Sequence, residues 1–188
     1  MPTPTAQKNF TDPDSRLMKR TGGDFDASHN AQTVVDDTAH LIVAAEVGQN
    51  ASDAGQFVPM LQAVQTNAGL APSPLLADAG YCSEQNFADL ADSPTDIVVA
   101  MGRRGKRCAP IKALTQPHMA AMAAKLQTPA CQSAYQRRKW LAELPNGWVK
   151  RMLGFQQFSL HGLHRVQAEL KLACLALNLR RIGAMKTV

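Results

Sequence analysis

The chain has 188 residues, 45% hydrophobic and 19% charged, which suits one domain with a sizeable core and excludes wholesale disorder. No apolar run approaches the ~18 residues of a membrane span, and the opening MPTPTAQKNF lacks the apolar stretch of a secretory signal. The net charge of +5 hides an asymmetry: residues 1–100 carry 4 basic and 13 acidic side chains, residues 101–188 carry 16 and 2. A second half this basic points to a polyanionic partner, above all nucleic acid. The alternative is that the two halves attract each other.

In chain order, residues 1–27 are rich in Pro, Thr, Asp and Gly and read as an irregular arm. A partial α/β core is expected over 28–107. It begins with AQTVVDDTAHLIVAAEV, two β-branched runs around Asp36-Asp37-Thr38-Ala39, the pattern of a hairpin. Asn50 to Asp53 marks a helix entry with Ser52 or Asp53 as cap, followed by Phe57, Leu61 and Val64 at helical spacing. LLADAGY predicts a short buried strand ending at Asp78, and Ser83 is placed to cap a helix carrying Phe87 and Leu90. TDIVVAM predicts a second buried strand. Hairpin, helix, strand, helix, strand is the order of an α/β layer with a mixed sheet.

Residues 108–134 read as a connector, and 135–188 as a basic helical segment. Pro145 should kink or interrupt its helix. The stretch 163–183 carries one apolar stripe (Leu163, Val166, Leu170, Ala173, Cys174, Leu177, Ile182) that Gly183 should stop.

Few groups here suit chemistry. Asp78 stands at a strand end, where ligands collect in α/β sheets, although an Asp beside Gly80 also suits a self-capped turn. Glu143 is one of two carboxylates after residue 100 and lies among Arg137, Arg138, Lys139 and Lys150. It reads either as a salt-bridged surface residue or as a metal ligand amid phosphate contacts. The loop Gly102-Arg103-Arg104-Gly105-Lys106-Arg107 is too short for a phosphate-cradling P-loop and reads as either a solvated loop or a phosphodiester contact. His161 and His164 lack further ligands at zinc spacing. Trp140, Trp148 and Phe155 are placed either to stack on bases or to fill the core. Cys82, Cys108, Cys131 and Cys174 form no C-x-x-C pair, so a reduced, cytoplasmic setting is expected.

Four ordered segments, DPDSRLMKRTGGDFDASHNAQTVVDDTAHLIVAAEV, LLADAGYCSEQN, YQRRKWLAE with Lys150, and GFQQFSLHGL, resemble the DDE-type transposases of bacterial insertion sequences. The resemblance implies an RNase H-like catalytic domain with a mixed sheet flanked by helices. It also implies cleavage and rejoining of DNA by acidic residues holding Mg²⁺ or Mn²⁺. The family's second acid falls on Asp78, with Tyr81 as the tyrosine of its motif. The third falls on Glu143, within a signature matched by Tyr135, Arg138 and Lys150. The resemblance makes Tyr135, Arg138 and Lys150 expected DNA contacts, and Arg103, Arg104 and Lys106 of the basic loop are expected to join them. The family's first acid, usually in a D-G-T or D-S-T context, has no counterpart before Asp12, so the first strand is expected to be missing and the chain truncated. Asp36 and Asp37 fall in a hairpin turn and do not take that role. The partners implied are DNA and a homodimer or full-length transposase, with no membrane. The competing expectation is a non-catalytic DNA-binding remnant or an inhibitor of full-length transposase.

Overall fold

The structure, a computed structural model, describes residues 8–19, 22–102 and 111–185. Within its fourth helix the side chains of Arg137, Lys139, Trp140, Ala142, Glu143 and Leu144 lie outside the description. The fold is mixed α/β. Its strands are β1 (Arg16–Lys19), β2 (Phe25–Ser28), β3 (Asn30–Val35), β4 (Ile42–Gly48), β5 (Leu75–Ala77) and β6 (Ile97–Val99). The helices are α1 (Phe57–Ala68), α2 (Glu84–Asp89), α3 (Pro117–Lys125), α4 (Pro129–Met152) and α5 (Leu163–Met185). Short 3₁₀ turns lie at Ala54–Gln56 and Ala79–Tyr81.

The β3–β4 hairpin forms where the β-branched runs predict it, and Asp36 closes its turn by accepting the Ala39 N–H at 2.6 Å. Ser83 caps α2 as expected, accepting the Asn86 N–H at 3.4 Å. β5 and β6 pair in parallel, joined by a crossover through α2, as parallel strands require.

Several expectations are corrected. The arm is not irregular throughout: β1 and β2 pair antiparallel, with Gly23 at φ 99° in the turn between them. A single mixed sheet is not seen among the described residues. The strands form three separate two-stranded ladders, and Gln32 of β3 meets the turn after β5 through the Tyr81 hydroxyl rather than through backbone pairing. α4 starts at Pro129, with Thr128 accepting the Cys131 N–H at its N-terminus. α4 also runs unbroken through Pro145, whose ring is buried beside the sheet-facing turn of Val149. α5 continues past Gly183 to Met185, because that glycine stays helical rather than turning left-handed. Ile182 is not in the buried stripe but 40% exposed.

Two apolar centres hold the layers together. Phe57, Leu61, Leu75, Phe87, Ile97, Val99 and Met122 pack α1, α2 and α3 around the parallel pair. Ile42, Ala45, Val149, Leu170, Cys174 and Leu177 join β4 to α4 and α5. Ala44, on the opposite side of β4, meets Met60 and Val64 of α1. The alanines let helices approach a strand that is buried on both faces.

α5 also covers the outer edge of β4. Asn178 accepts the Ile42 N–H and donates to the Ile42 carbonyl, both at 2.8 Å. Gln167 does the same for the Val47 N–H (2.6 Å) and the Ala45 carbonyl (2.8 Å). Two amide side chains thus replace a neighbouring strand and blunt an edge that would otherwise template association. At the start of α5, Asp14 accepts the Leu163 N–H at 2.9 Å and Asp12 accepts the Gly162 N–H at 3.2 Å. These satisfy donors that a helix cannot satisfy by itself.

Candidate active site

β5 ends in the apolar interior at Ala77, and Asp78 follows where the chain emerges. Its carboxylate does two things. Oδ1 accepts the Gly80 N–H at 3.1 Å, the self-capped turn that its sequence context allows. Oδ2 lies 3.5 Å from Arg138 Nη1, with the Asp78 side chain half exposed and that of Arg138 27% exposed. The Arg138 guanidinium also sits 5.2 Å from the centre of the Tyr135 ring, one helical turn earlier on α4. The packing of α4 across β3 and β5 therefore joins three residues that are 57 to 60 positions apart or adjacent on one helix.

Tyr81 turns inward. Its ring packs against Phe57, with centroids 5.5 Å apart, and its hydroxyl donates to Gln32 Oε1. Burial pushes the phenol well above its ordinary range, and the charges of Asp53 and Asp78 add to the shift against a smaller opposing effect of Arg138. Tyr81 is therefore a hydrogen-bond donor at any physiological pH.

Sequence reasoning missed the residues beneath Asp78. Asp53, expected to cap a helix, makes no side-chain cap. Its Oδ1 instead accepts from Asn30 Nδ2 at 2.7 Å and from Gln32 Nε2 at 2.8 Å. The available signal was Asn30-x-Gln32, two polar residues on one face of a strand whose next residue on that face is Val34. A buried glutamine there must have a partner.

The other predicted residues distribute differently. Glu143 lies on α4 between Arg138 and Lys150, and its side chain is outside the described residues. Arg103, Arg104 and Lys106 also lie outside the described residues. Lys150 is exposed, twelve residues and so ~18 Å along the helix from Arg138. It lines a cleft of about 500 Å³ between the β1–β2 hairpin and the end of α4, with His29, Asn146, Gln157 and His161. Trp148 and Phe155 pack against the α5 core, Trp148 under Arg180, which answers the choice between stacking and packing in favour of packing.

The chain matches the family model "Transposase DDE domain" over residues 5–179. It belongs to that family. No curated protein and no solved structure matches it. DDE transposases are catalytic proteins that act in DNA transposition, bind DNA and generally use divalent metal ions. In this transposase-family chain, the hard carboxylate oxygens of Asp78 suit such an ion, and Asp53 Oδ2 reaches the same turn. Among the described residues, however, no three His, Cys, Asp or Glu side chains converge on one point. The described donors thus fit one side of a metal site. No helix among the described residues is long and apolar enough to cross a membrane.

Proposed function

We propose that this chain carries the metal-dependent DNA cleavage and strand-transfer chemistry of a DDE transposase, with Asp78 and Glu143 as its catalytic carboxylates. The observation that carries the reading is the meeting of Asp78 with Arg138 and Tyr135 at the end of β5. That end of a parallel pair is where α/β folds place ligands. Asp78 and Glu143 would hold Mg²⁺ or Mn²⁺, which when bound activates an attacking oxygen and offsets charge on the leaving one.

The protein's own side chains do the rest. Arg138, freed from Asp78 by a competing cation, is a fork-shaped donor for a DNA phosphate beside the cut. Tyr135 supports the guanidinium from one side. The Gly80 N–H holds the Asp78 carboxylate by donating to its Oδ1. Lys150, with Arg103, Arg104 and Lys106, contacts phosphates further along the strand and contributes affinity rather than chemistry.

We read the core as RNase H-like, on the strength of the family match and the mixed α/β order of its elements. The reaction would take place on the nucleoid in the cytoplasm.

The test is cleavage of insertion-sequence end DNA with Mg²⁺ or Mn²⁺, comparing the full chain with Asp78→Ala and Glu143→Gln. The expected result is a loss of at least about 100-fold in rate for either variant, with DNA binding kept. Binding that is salt-sensitive but indifferent to metal, with no cleavage to lose, would identify a DNA-binding remnant or an inhibitor of a full-length transposase.

A further inference from the structure

Beneath Asp78 lies a polar network that the proposed chemistry does not use. Its centre is Asp53, at the entry to α1. Asn30 and Gln32, from one face of β3, both donate to Asp53 Oδ1, at 2.7 and 2.8 Å. Asn30 also donates to the Asn50 carbonyl at 3.0 Å and accepts from Gln32 at 2.8 Å, so the group is cross-linked. Gln32 is 5% exposed, and its remaining oxygen takes the Tyr81 hydroxyl. The other Asp53 oxygen fills the space beside Gly80: a Cβ at Gly80 would lie 2.5 Å from Asp53 Oδ2 and 3.2 Å from Asp78 Oδ1. Gly80 is the residue whose N–H orients Asp78. Asn86 closes the same corner from α2, donating to the carbonyls of Ala54 and Tyr81 at 2.7 and 2.9 Å.

We propose that Asp53 is a positioning residue for Asp78: held by Asn30 and Gln32, its carboxylate braces the Gly80 turn and so fixes the carboxylate that meets the metal and Arg138. The physical reason lies in the backbone. β5 ends at Ala77, and among the described residues no ladder holds the turn that follows it. The turn's position is set by what it leans on, and it leans on Asp53 and, through Tyr81, on Gln32. A carboxylate is suited to this because one oxygen can accept two amide donors while the other stays in contact with the glycine. Side chains that orient a ligand from behind typically change metal affinity 10- to 100-fold when removed.

This inference rests on the reading of Asp78 as a metal ligand, and its test separates the two. In the full chain, the Gly80 amide resonance is followed without metal and during a Mn²⁺ titration, for Asp53→Ala and Asp53→Asn. Asp53→Ala is expected to move the metal-free Gly80 and Tyr81 amide resonances. It should also raise the Mn²⁺ concentration for half-maximal broadening at Gly80 about tenfold, with little change in Tm. Asp53→Asn keeps an oxygen that accepts from Asn30 and Gln32, and should restore both readouts to within about twofold. An unmoved Gly80 amide in Asp53→Ala overturns the proposal, and so does an Asn variant as impaired as the Ala variant, since charge rather than placement would then matter. If Asp53→Ala does not fold, Gly80→Ala carries the same test, because its methyl must push against Asp53 Oδ2; an unaltered Mn²⁺ response there overturns the brace. If Mn²⁺ broadens nothing near Gly80 in the unaltered protein, the metal reading of Asp78 fails, and the metal-free resonances alone decide the role of Asp53.

Discussion

The corner around Asp78 and the seam between β4 and α5 are built on opposite terms. The seam buries Ile42, Leu170, Cys174 and Leu177, and adds paired amide bonds from Asn178 and Gln167 along one strand edge. The corner has one buried glutamine, a carboxylate brace, a glycine too confined for a methyl group, and a half-exposed ion pair. Removing apolar volume from the seam leaves a cavity that costs folding free energy directly. Removing a group from the corner mainly moves a carboxylate. On the proposed reading, stability resides in the seam and chemistry in the corner.

The sharpest way to break this contrast is Leu170→Ala, which empties a buried position on the seam. It should cost about 2–5 kcal/mol of unfolding free energy, read by urea denaturation. A loss below about 1 kcal/mol would mean that the seam is not the structural half.

Next in size is Asp12, buried at the N-terminus of α5 and 2.8 Å from His29 Nε2. Burial pushes its carboxyl up, but hydrogen bonds from His29 and the Gly162 and Asp14 N–H groups, with the charge of His29, bring it net below the ordinary value. A carboxyl lowered by folding contributes stability that is fully present above its unfolded pKa. That contribution is lost as pH falls through the lower folded value, so an acid unfolding limb is expected below about pH 4. Asp12→Asn should cost about 1–3 kcal/mol at pH 7 and flatten that limb. An unchanged acid limb would place the acid sensitivity elsewhere.

The smallest effect on stability should come from the corner. Arg138→Ala removes a partly exposed pair and should change stability by no more than about 1 kcal/mol. It should instead weaken DNA binding uniformly across sequences and reduce the salt slope by about one. A large drop in Tm would show that Arg138 is a structural residue.

What the sequence revealed follows from how local each feature is. The β3–β4 hairpin, the cap at Ser83 and the strand end at Asp78 are set by residues within a few positions of one another, and all three are found as expected. The resemblance singled out both Arg138 and Asp78, but their contact was not legible, because nothing local ties α4 to β5. The roles of Gln32 and Asp53 were not legible: residues 21 apart on a strand and a helix entry meet only once the layers pack. Local rules also misled at Pro145 and Gly183. At Pro145 the packing of a long helix overrides a breaking preference of about 3 kcal/mol, and at Gly183 the helix simply continues against one of about 1 kcal/mol.

The docking of α5 sets an order of events during synthesis. Its bonds to the Asp12–Asp14 turn and to β4 span 120 to 150 residues of chain. While a ribosome is still making α4, the outer edge of β4 has neither Gln167 nor Asn178 to occupy it. The β4 edge therefore stays open until Gln167 and Asn178 have been made, and only then can the Asp12–Asp14 turn and α5 close on each other. Loss of α5 would leave that edge unguarded.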